Sequence, residues 1–161
     1  MTFTNEALTD FTVSENVDAY RAALSEVRSR LGADYPLTIG GETIATGAWI
    51  ESHNPGLVSE LVGRSAKGGP AEIDRALAAA WDAFRPWSAR PMNERISRVR
   101  RLASVMRQRR FELAAWMTFE AGKNFAEADA DVAEAIDFCE YYAHKAPALA
   151  GEHQTYPSPG E

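Results

Sequence analysis

The sequence is poor in features that mark secreted, membrane-spanning or zinc-stabilised proteins. It has 161 residues and one cysteine, Cys139, which excludes an internal disulfide and a zinc site built from several cysteines. It has no run of about 18 apolar residues, so no membrane span is predicted. Residues 1–6 carry no basic cluster ahead of an apolar stretch, so a secretory signal is not expected. Together these absences predict a cytoplasmic protein.

Basic charge is also in deficit. The net charge of −6 argues against a general binder of nucleic acid, because such binding depends on Lys and Arg that neutralise phosphates. Arginines crowd residues 95–110, and acidic residues crowd residues 120–140. We interpret the two runs as solvated helix faces that attract each other. The alternative, an arginine patch for nucleic acid or phosphate, is disfavoured by apolar residues interleaved at helical spacing.

Both glycine-rich nucleotide fingerprints are missing. The segment Lys67-Gly68-Gly69-Pro70 lacks the spacing of either, so it predicts no cradle for a pyrophosphate. Pro70 instead suits the first position of a helix. Three histidines, His53, His144 and His153, lie far apart in the sequence and outside any ligand spacing, so no metal site is predicted from them.

Apolar periodicity predicts an arm, a helix and short strands in the first part of the chain. Residues 1–16 are polar and aperiodic, which is typical of a loosely held arm. Apolar residues at helical spacing predict a helix over residues 17–31, ended by Gly32. Residues 35–64 predict short antiparallel strands: Leu37-Thr38-Ile39, Thr43-Ile44, Trp49-Ile50 and Leu61-Val62.

Four helices are predicted to follow. The first begins at Pro70 and should break at Pro86; the last and longest covers residues 125–143. This order by itself indicates an α+β domain. The few short strands offer little for the helices to pack on, so we expect the apolar faces around Trp81 and Ile136 to stay exposed and to need a partner segment.

Two sets of residues could carry chemistry. Cys139 lies on an apolar helical stripe beside acidic residues that would raise its pKa, so we interpret it as a small core residue rather than a nucleophile. The carboxylates of Asp131, Glu134 and Asp137 recur three apart on one helix face. They could divide acid and base roles if burial separated their pKa values, or they could be solvated surface.

Several short blocks resemble the aldehyde dehydrogenase family in their order and intervals. They are Tyr35 to Glu42, Ser52-His53-Asn54-Pro55, Ala79 to Trp87, Glu120 to Lys123, and the helix that ends in Tyr141-Tyr142-Ala143. The segment Ala133-Glu134-Ala135-Ile136-Asp137-Phe138 resembles the corresponding sequence in the branch of the family that acts on glutamate semialdehyde. The resemblance covers residues 35–145 well and residues 1–34 more loosely.

The resemblance implies an α/β fold, of which this chain supplies the amino-terminal portion: short antiparallel strands plus long helices, incomplete without the rest of the NAD-binding sheet. Residues 1–34 would form an arm and helix, and residues 35–161 the first part of the NAD-binding domain. The implied reaction is NAD-dependent oxidation of L-glutamate γ-semialdehyde to L-glutamate in proline catabolism. The complete enzyme would be a homo-oligomer that binds NAD through residues outside this chain.

The resemblance also assigns site residues. None of the family's catalytic cysteine, glutamate or asparagine motifs occurs in this chain, so no catalytic and no cofactor-binding residue is assigned, and the chain alone is expected to be inactive. Glu134 and Phe138 match positions at the substrate entrance, where a carboxylate could bind the amino end of an amino-acid aldehyde. Glu120 matches an acidic residue beside a monovalent-cation site. The alternative function is a non-catalytic helical interaction module or split subunit that needs a partner chain.

Overall fold

A computed structural model describes residues 3–149 of the chain. Within these residues the helices are α1 Ser14–Arg28, α2 Pro70–Ser88, α3 Met92–Gln108, α4 Arg110–Ala121 and α5 Phe125–Leu149. The strands are β1 Ala33–Tyr35, β2 Leu37–Ile39, β3 Glu42–Ile44, β4 Trp49–His53 and β5 Leu61–Ala66. This order confirms the predicted combination of short strands with long helices. His153 and the predicted linker-like tail lie outside the described residues.

Strands β2 and β3 form the hairpin that the Gly40-Gly41 pair predicts. The two glycines have φ of 60° and 85°, a conformation that a two-residue hairpin turn requires and that side chains with a Cβ disfavour. Leu37 pairs with Ile44 and Ile39 with Glu42 in an antiparallel register.

The second sheet contains one parallel strand pair, formed by a strand that was not among those predicted. Strand order is β1-β5-β4, with β4 antiparallel to β5 but β1 parallel to it. The Arg64 guanidinium bonds both carboxylate oxygens of Asp34 at 2.7 Å, directly across the parallel pair. Gly63 allows the close approach, since a Cβ there would lie 2.9 Å from Cε2 of Tyr35. The strands predicted from the sequence, β2 to β5, pair antiparallel as expected. Strand β1 was not predicted, because its three residues carry too little pattern.

The hydrophobic core lies between α1, α3, α4 and α5. Tyr20, Val132 and Ile136 are completely or almost completely buried in it. The expectation that the Ile136 face is exposed was therefore wrong, because α3 and α4 both pack against α5. The attraction predicted between the arginine-rich and acidic helices is present: Arg107 of α3 contacts Glu140 of α5 at 2.9 Å.

Helix α2 confirms the other half of that expectation. In the described part of the chain it has no buried residue, and the Trp81 side chain is 69% exposed. Its apolar face consists of Ile73, Leu77, Trp81, Phe84 and Trp87. The helix was predicted to break at Pro86 but continues to Ser88. Since Pro86 lies in the last turn, its missing N–H and its ring disturb only one turn of the helix.

The amino-terminal arm, residues 3–13, was predicted to be loosely held, but the structure packs it against the helices. The Phe11 ring packs on Tyr20 with a centroid separation of 5.7 Å and on Phe125 at 5.8 Å. An aromatic anchor of this size contributes substantial buried apolar area, so Phe11 attaches the arm to the core. The predicted domain boundary between residues 34 and 35 falls inside β1, and the division into two domains stays a prediction. None of the helices in residues 3–149 has the length and apolar character needed to cross a membrane.

Candidate functional site

Helix α5 carries the predicted entrance residues, and a reciprocal cap defines where it begins. The Glu127 N–H donates to the Asn124 side chain at 3.0 Å, while the Asn124 N–H donates to the Glu127 carboxylate at 3.3 Å. Just before this cap, Gly122 ends α4 with φ of 70°. The chain therefore turns sharply between α4 and α5, and the first turn of α5 fixes which of its faces lies against the core.

That phase separates a buried face of α5 from an exposed one. Val132 and Ile136 point into the core, while Glu134 and Phe138, four residues apart, lie on the exposed face. Phe138 is 53% exposed and stacks on Tyr142 with a centroid separation of 6.0 Å and an interplanar angle of 9°. The structure therefore brings together the two residues predicted to line a substrate entrance.

The arm supplies the opposite side of a cleft beside Glu134 and Phe138. The cleft has a volume of about 250 Å³ and is lined by Phe3 and Asn5 of the arm and by α5 residues. Those α5 residues are Glu134, Asp137, Phe138, Tyr141 and Tyr142. The Phe3 ring meets the Tyr141 ring edge to face at 5.3 Å. A carboxylate among aromatic faces suits a small cationic group, through charge-assisted hydrogen bonds and cation–π contact.

Asp137 is committed to the arm and is not free to pair with Glu134 as an acid or base. One of its carboxylate oxygens accepts the Glu6 N–H at 2.6 Å, and the other accepts the Asn5 amide at 2.7 Å. Asp131 is paired with the Lys123 ammonium. Among these three carboxylates, Glu134 therefore lines the cleft without an ion pair or hydrogen bond to another described residue.

A buried ion pair between α4 and α5 was missed by sequence reasoning. The Asp129 carboxylate is 1% exposed, and Arg110 donates two hydrogen bonds to it at 2.6 and 2.7 Å. Thr9 of the arm adds its N–H at 2.8 Å and its hydroxyl at 2.7 Å. Burial would raise the pKa of Asp129, but these bonds outweigh it and lower the pKa. An available signal was the position of Asp129 on the apolar stripe of Phe125 and Val132.

Glu120, the predicted cation residue, lies in a second cleft between α4 and the three-stranded sheet. This cleft has a volume of about 350 Å³. The Ser52 hydroxyl donates to the Glu120 carboxylate at 3.2 Å. Arg30 and Arg109 line the same cleft, but both are paired with Glu112. Nowhere in residues 3–149 do three His, Cys, Asp or Glu side chains gather in a way that could hold a metal ion.

The remaining candidates have ordinary structural surroundings. Cys139 is partly buried against the core, and burial, followed by the charge of Glu140, raises the pKa of its thiol, as the core interpretation expects. His53 lies on the surface, 3.2 Å from the Glu51 carboxylate. The Gly69 N–H donates to Glu72 at 2.7 Å, which confirms that this segment begins a helix.

The chain belongs to the aldehyde dehydrogenase family, which matches residues 43–161. Among its relatives, the 1-pyrroline-5-carboxylate dehydrogenase of Geobacillus kaustophilus is 46% identical over 159 residues, 99% of this chain and 31% of the relative. The match confirms both the resemblance to the family and the resemblance to its glutamate-semialdehyde branch.

Solved structures give the same result. A Thermus thermophilus 1-pyrroline-5-carboxylate dehydrogenase has a TM-score of 0.92 at 45% identity, covering 99% of this chain and 31% of that one. A Thermus 1-pyrroline-5-carboxylate dehydrogenase with bound NAD has a TM-score of 0.91 at 46% identity, covering 98% and 31%. The chain thus spans about a third of the length of these relatives, and it matches their amino-terminal part.

Proposed function

We propose that this chain is the amino-terminal part of an NAD-dependent dehydrogenase that oxidises L-glutamate γ-semialdehyde to L-glutamate in proline catabolism. The observation that carries the proposal is the 46% identity to a 1-pyrroline-5-carboxylate dehydrogenase across 99% of the chain. The α5 cleft supports it, because a carboxylate on an aromatic surface fits the charged amino group of an amino-acid aldehyde. The homo-oligomer and the cytoplasmic location remain predictions.

The start of α2 does not fit the pyrophosphate of NAD, which acts as hydride acceptor in such enzymes. A pyrophosphate needs unused backbone N–H groups at a helix start. The best candidate, the Gly69 N–H, is already bonded to Glu72, and Glu72 would repel a phosphate. We therefore assign no cofactor contact and no chemical step to residues 3–149. The 161-residue chain alone is expected to oxidise no aldehyde.

Glu134 and Phe138 would act in substrate binding rather than in bond making. The Glu134 carboxylate is exposed in the cleft, where it would accept hydrogen bonds from the substrate ammonium group. The Phe138 ring would cover the aliphatic part of the same molecule, since it is stacked on Tyr142 and held in place. This geometry would orient an amino-acid aldehyde without favouring a simple alkyl aldehyde.

The complete gene product provides the test of this assignment. Glu134→Gln should raise the KM for glutamate semialdehyde by about tenfold, because one charge-assisted hydrogen bond of about 1.5 kcal/mol is lost. The KM for propanal, which has no ammonium group, should not change. Glu26→Gln on an exposed surface of α1 is the matched control. A wild-type enzyme that does not reduce NAD with glutamate semialdehyde would refute the function, and equal effects on both aldehydes would refute the role of Glu134.

Glu120 would hold a monovalent cation together with neighbouring oxygen atoms. The support is its carboxylate in the second cleft, beside the Ser52 hydroxyl and the end of β4. Alkali cations prefer oxygen ligands, so a hydroxyl and backbone carbonyls would complete such a site. Thermal unfolding of the complete gene product in NaCl, KCl and tetramethylammonium chloride at equal ionic strength should show a cation-specific Tm increase that Glu120→Gln removes. Equal Tm values in all three salts would exclude the site.

The exposed apolar face of α2 favours one other candidate, a non-catalytic module that binds a partner chain. Five large apolar side chains on one exposed helix face form a patch of the kind that marks protein contact. This candidate predicts that the 161-residue chain is monodisperse and unfolds in one cooperative transition without any partner. Aggregation of the isolated chain, together with turnover by the complete gene product, would exclude it.

A further inference from the structure

The arm is anchored to α5 at points three residues apart, which fixes its register. Its Glu6 N–H is held by Asp137 at 2.6 Å, and its Thr9 N–H is held by Asp129 at 2.8 Å. The Glu6 carboxylate is in turn 2.8 Å from Arg107 and 3.7 Å from Arg110. A segment bonded through both backbone and side chains cannot slide by one residue without losing all of these contacts.

This register decides which arm residues face the cleft. Asn5 and Phe3 lie just before the anchored Glu6, and both line the cleft opposite Glu134 and Phe138. The Asp137 carboxylate can only accept hydrogen bonds, so Asn5 must present its NH₂ group to it. The Asn5 amide oxygen is not used in that bond, so Asn5, which lines the cleft, keeps an acceptor for a further hydrogen bond. An ammonium group between Glu134 and Asn5 would meet acceptors from both sides.

We propose that residues 3–9 are a positioning element of this site, which Asp137 and Asp129 hold in place so that Phe3 and Asn5 form the wall against which the amino-acid aldehyde is oriented. The proposal rests on the proposed function of the cleft. Phe3 supplies the apolar part of the wall through its contact with Tyr141, and Asn5 supplies the polar part. Asp137 is a positioning residue, since it acts on the substrate through the arm.

Asp137→Ala in the complete gene product tests the proposal. We expect the Glu6 amide to lose its protection against hydrogen exchange, because its acceptor is removed. We also expect the KM for glutamate semialdehyde to rise by about tenfold while kcat and the KM for NAD change by less than about twofold, because orientation of the aldehyde alone is affected. Asp18→Ala is the control, since Asp18 is an exposed carboxylate on α1 that is paired with Arg21 at 3.6 Å.

A second variant covers the case in which Asp137→Ala does not fold. Asn5→Ala keeps the bond between Glu6 and Asp137, so the arm stays docked while the polar part of the wall is lost. It should raise the KM for the same aldehyde by about threefold and leave the KM for propanal unchanged. Loss of Glu6 protection with an unchanged aldehyde KM, or an unchanged KM in Asn5→Ala, would overturn the proposal. Failure of the wild-type enzyme to oxidise glutamate semialdehyde would instead reject the proposed function and, with it, this inference.

Discussion

Replacing Asp129 by asparagine tests the buried ion pair that joins the arm, α4 and α5. The substitution keeps the size of the side chain and one acceptor for Thr9 but removes the charge that faces Arg110. The Arg110 side chain is 14% exposed, so water replaces the lost carboxylate only in part. The Glu6 carboxylate at 3.7 Å then remains near Arg110 as partial compensation.

The expected cost is about 3 kcal/mol, since breaking a buried pair by removing one partner typically costs about 3–5 kcal/mol and Glu6 relieves part of the imbalance. The matched control is Glu94→Gln in the pair of Arg90 and Glu94, whose side chains are 43% and 50% exposed at 3.1 Å. An exposed pair of this kind contributes only about 0.5 kcal/mol. Both substitutions remove one carboxylate charge from an arginine, so the difference between their costs in stability reports the burial of the pair.

Urea unfolding of the complete gene product, followed by circular dichroism, compares the free energy of unfolding of each variant with that of the wild type, provided that the m-values agree. The pH dependence gives an independent check. The pKa of Asp129 in the folded chain lies below its ordinary value of 3.8, so its contribution is complete above that pH and is lost as the pH falls through the lowered pKa. The difference between wild type and Asp129→Asn should therefore shrink in acid. A cost below about 1 kcal/mol at neutral pH would refute the reasoning.

Two further predictions concern a backbone position and a pKa. Gly122→Ala should destabilise the chain more than Gly32→Ala in the same unfolding assay. Both glycines have positive φ, a conformation that costs a residue with a side chain about 1–2 kcal/mol. At position 122, unlike position 32, the added Cβ would also lie 3.1 Å from Pro55. Equal losses of stability in the two variants would show that the contact with Pro55 has no effect. Glu112→Gln should lower stability at neutral pH, because hydrogen bonds from two arginines lower the Glu112 pKa from 4.5 to about 2. The stability that the Glu112 carboxylate contributes is present above pH 4.5 and is lost as the pH falls through about 2. The difference in free energy of unfolding between wild type and Glu112→Gln should therefore narrow over that interval. A difference that does not change with pH would contradict the lowered pKa.

Local signals were enough where neighbouring residues decide the structure. The Gly40-Gly41 hairpin, the start of α2 at Pro70 and the end of α4 at Gly122 depend on backbone conformations that few residues adopt. The long apolar stripe of α5 likewise showed which side of that helix needs cover, although the Ile136 face was expected to stay exposed and is buried. It also placed Glu134 and Phe138 on one face, as the structure has them.

Contacts between distant residues were beyond such signals. The arm looked loosely held because its polar residues have no periodicity, yet Thr9 binds Asp129, 120 positions away. The exposed Trp81 face and the buried Ile136 face have the same kind of pattern, and only the packing of α3 and α4 separates them. A hydrophobic stripe shows which side of a helix needs cover without showing what covers it.

The amino-acid sequence by itself determined the family, the succession of helices and strands, and the exposed α5 residues proposed to meet substrate. The succession of helices and strands follows because turn glycines, prolines and apolar spacing act within one or two turns of chain. The family and the α5 residues follow instead from the resemblance of short sequence blocks to that family. Only the tertiary structure decided that β1 pairs in parallel with β5 and that the arm forms one wall of the α5 cleft. Both depend on carboxylates and small side chains that become neighbours only after the chain has folded, when Asp34 meets Arg64 and Asp137 meets Glu6.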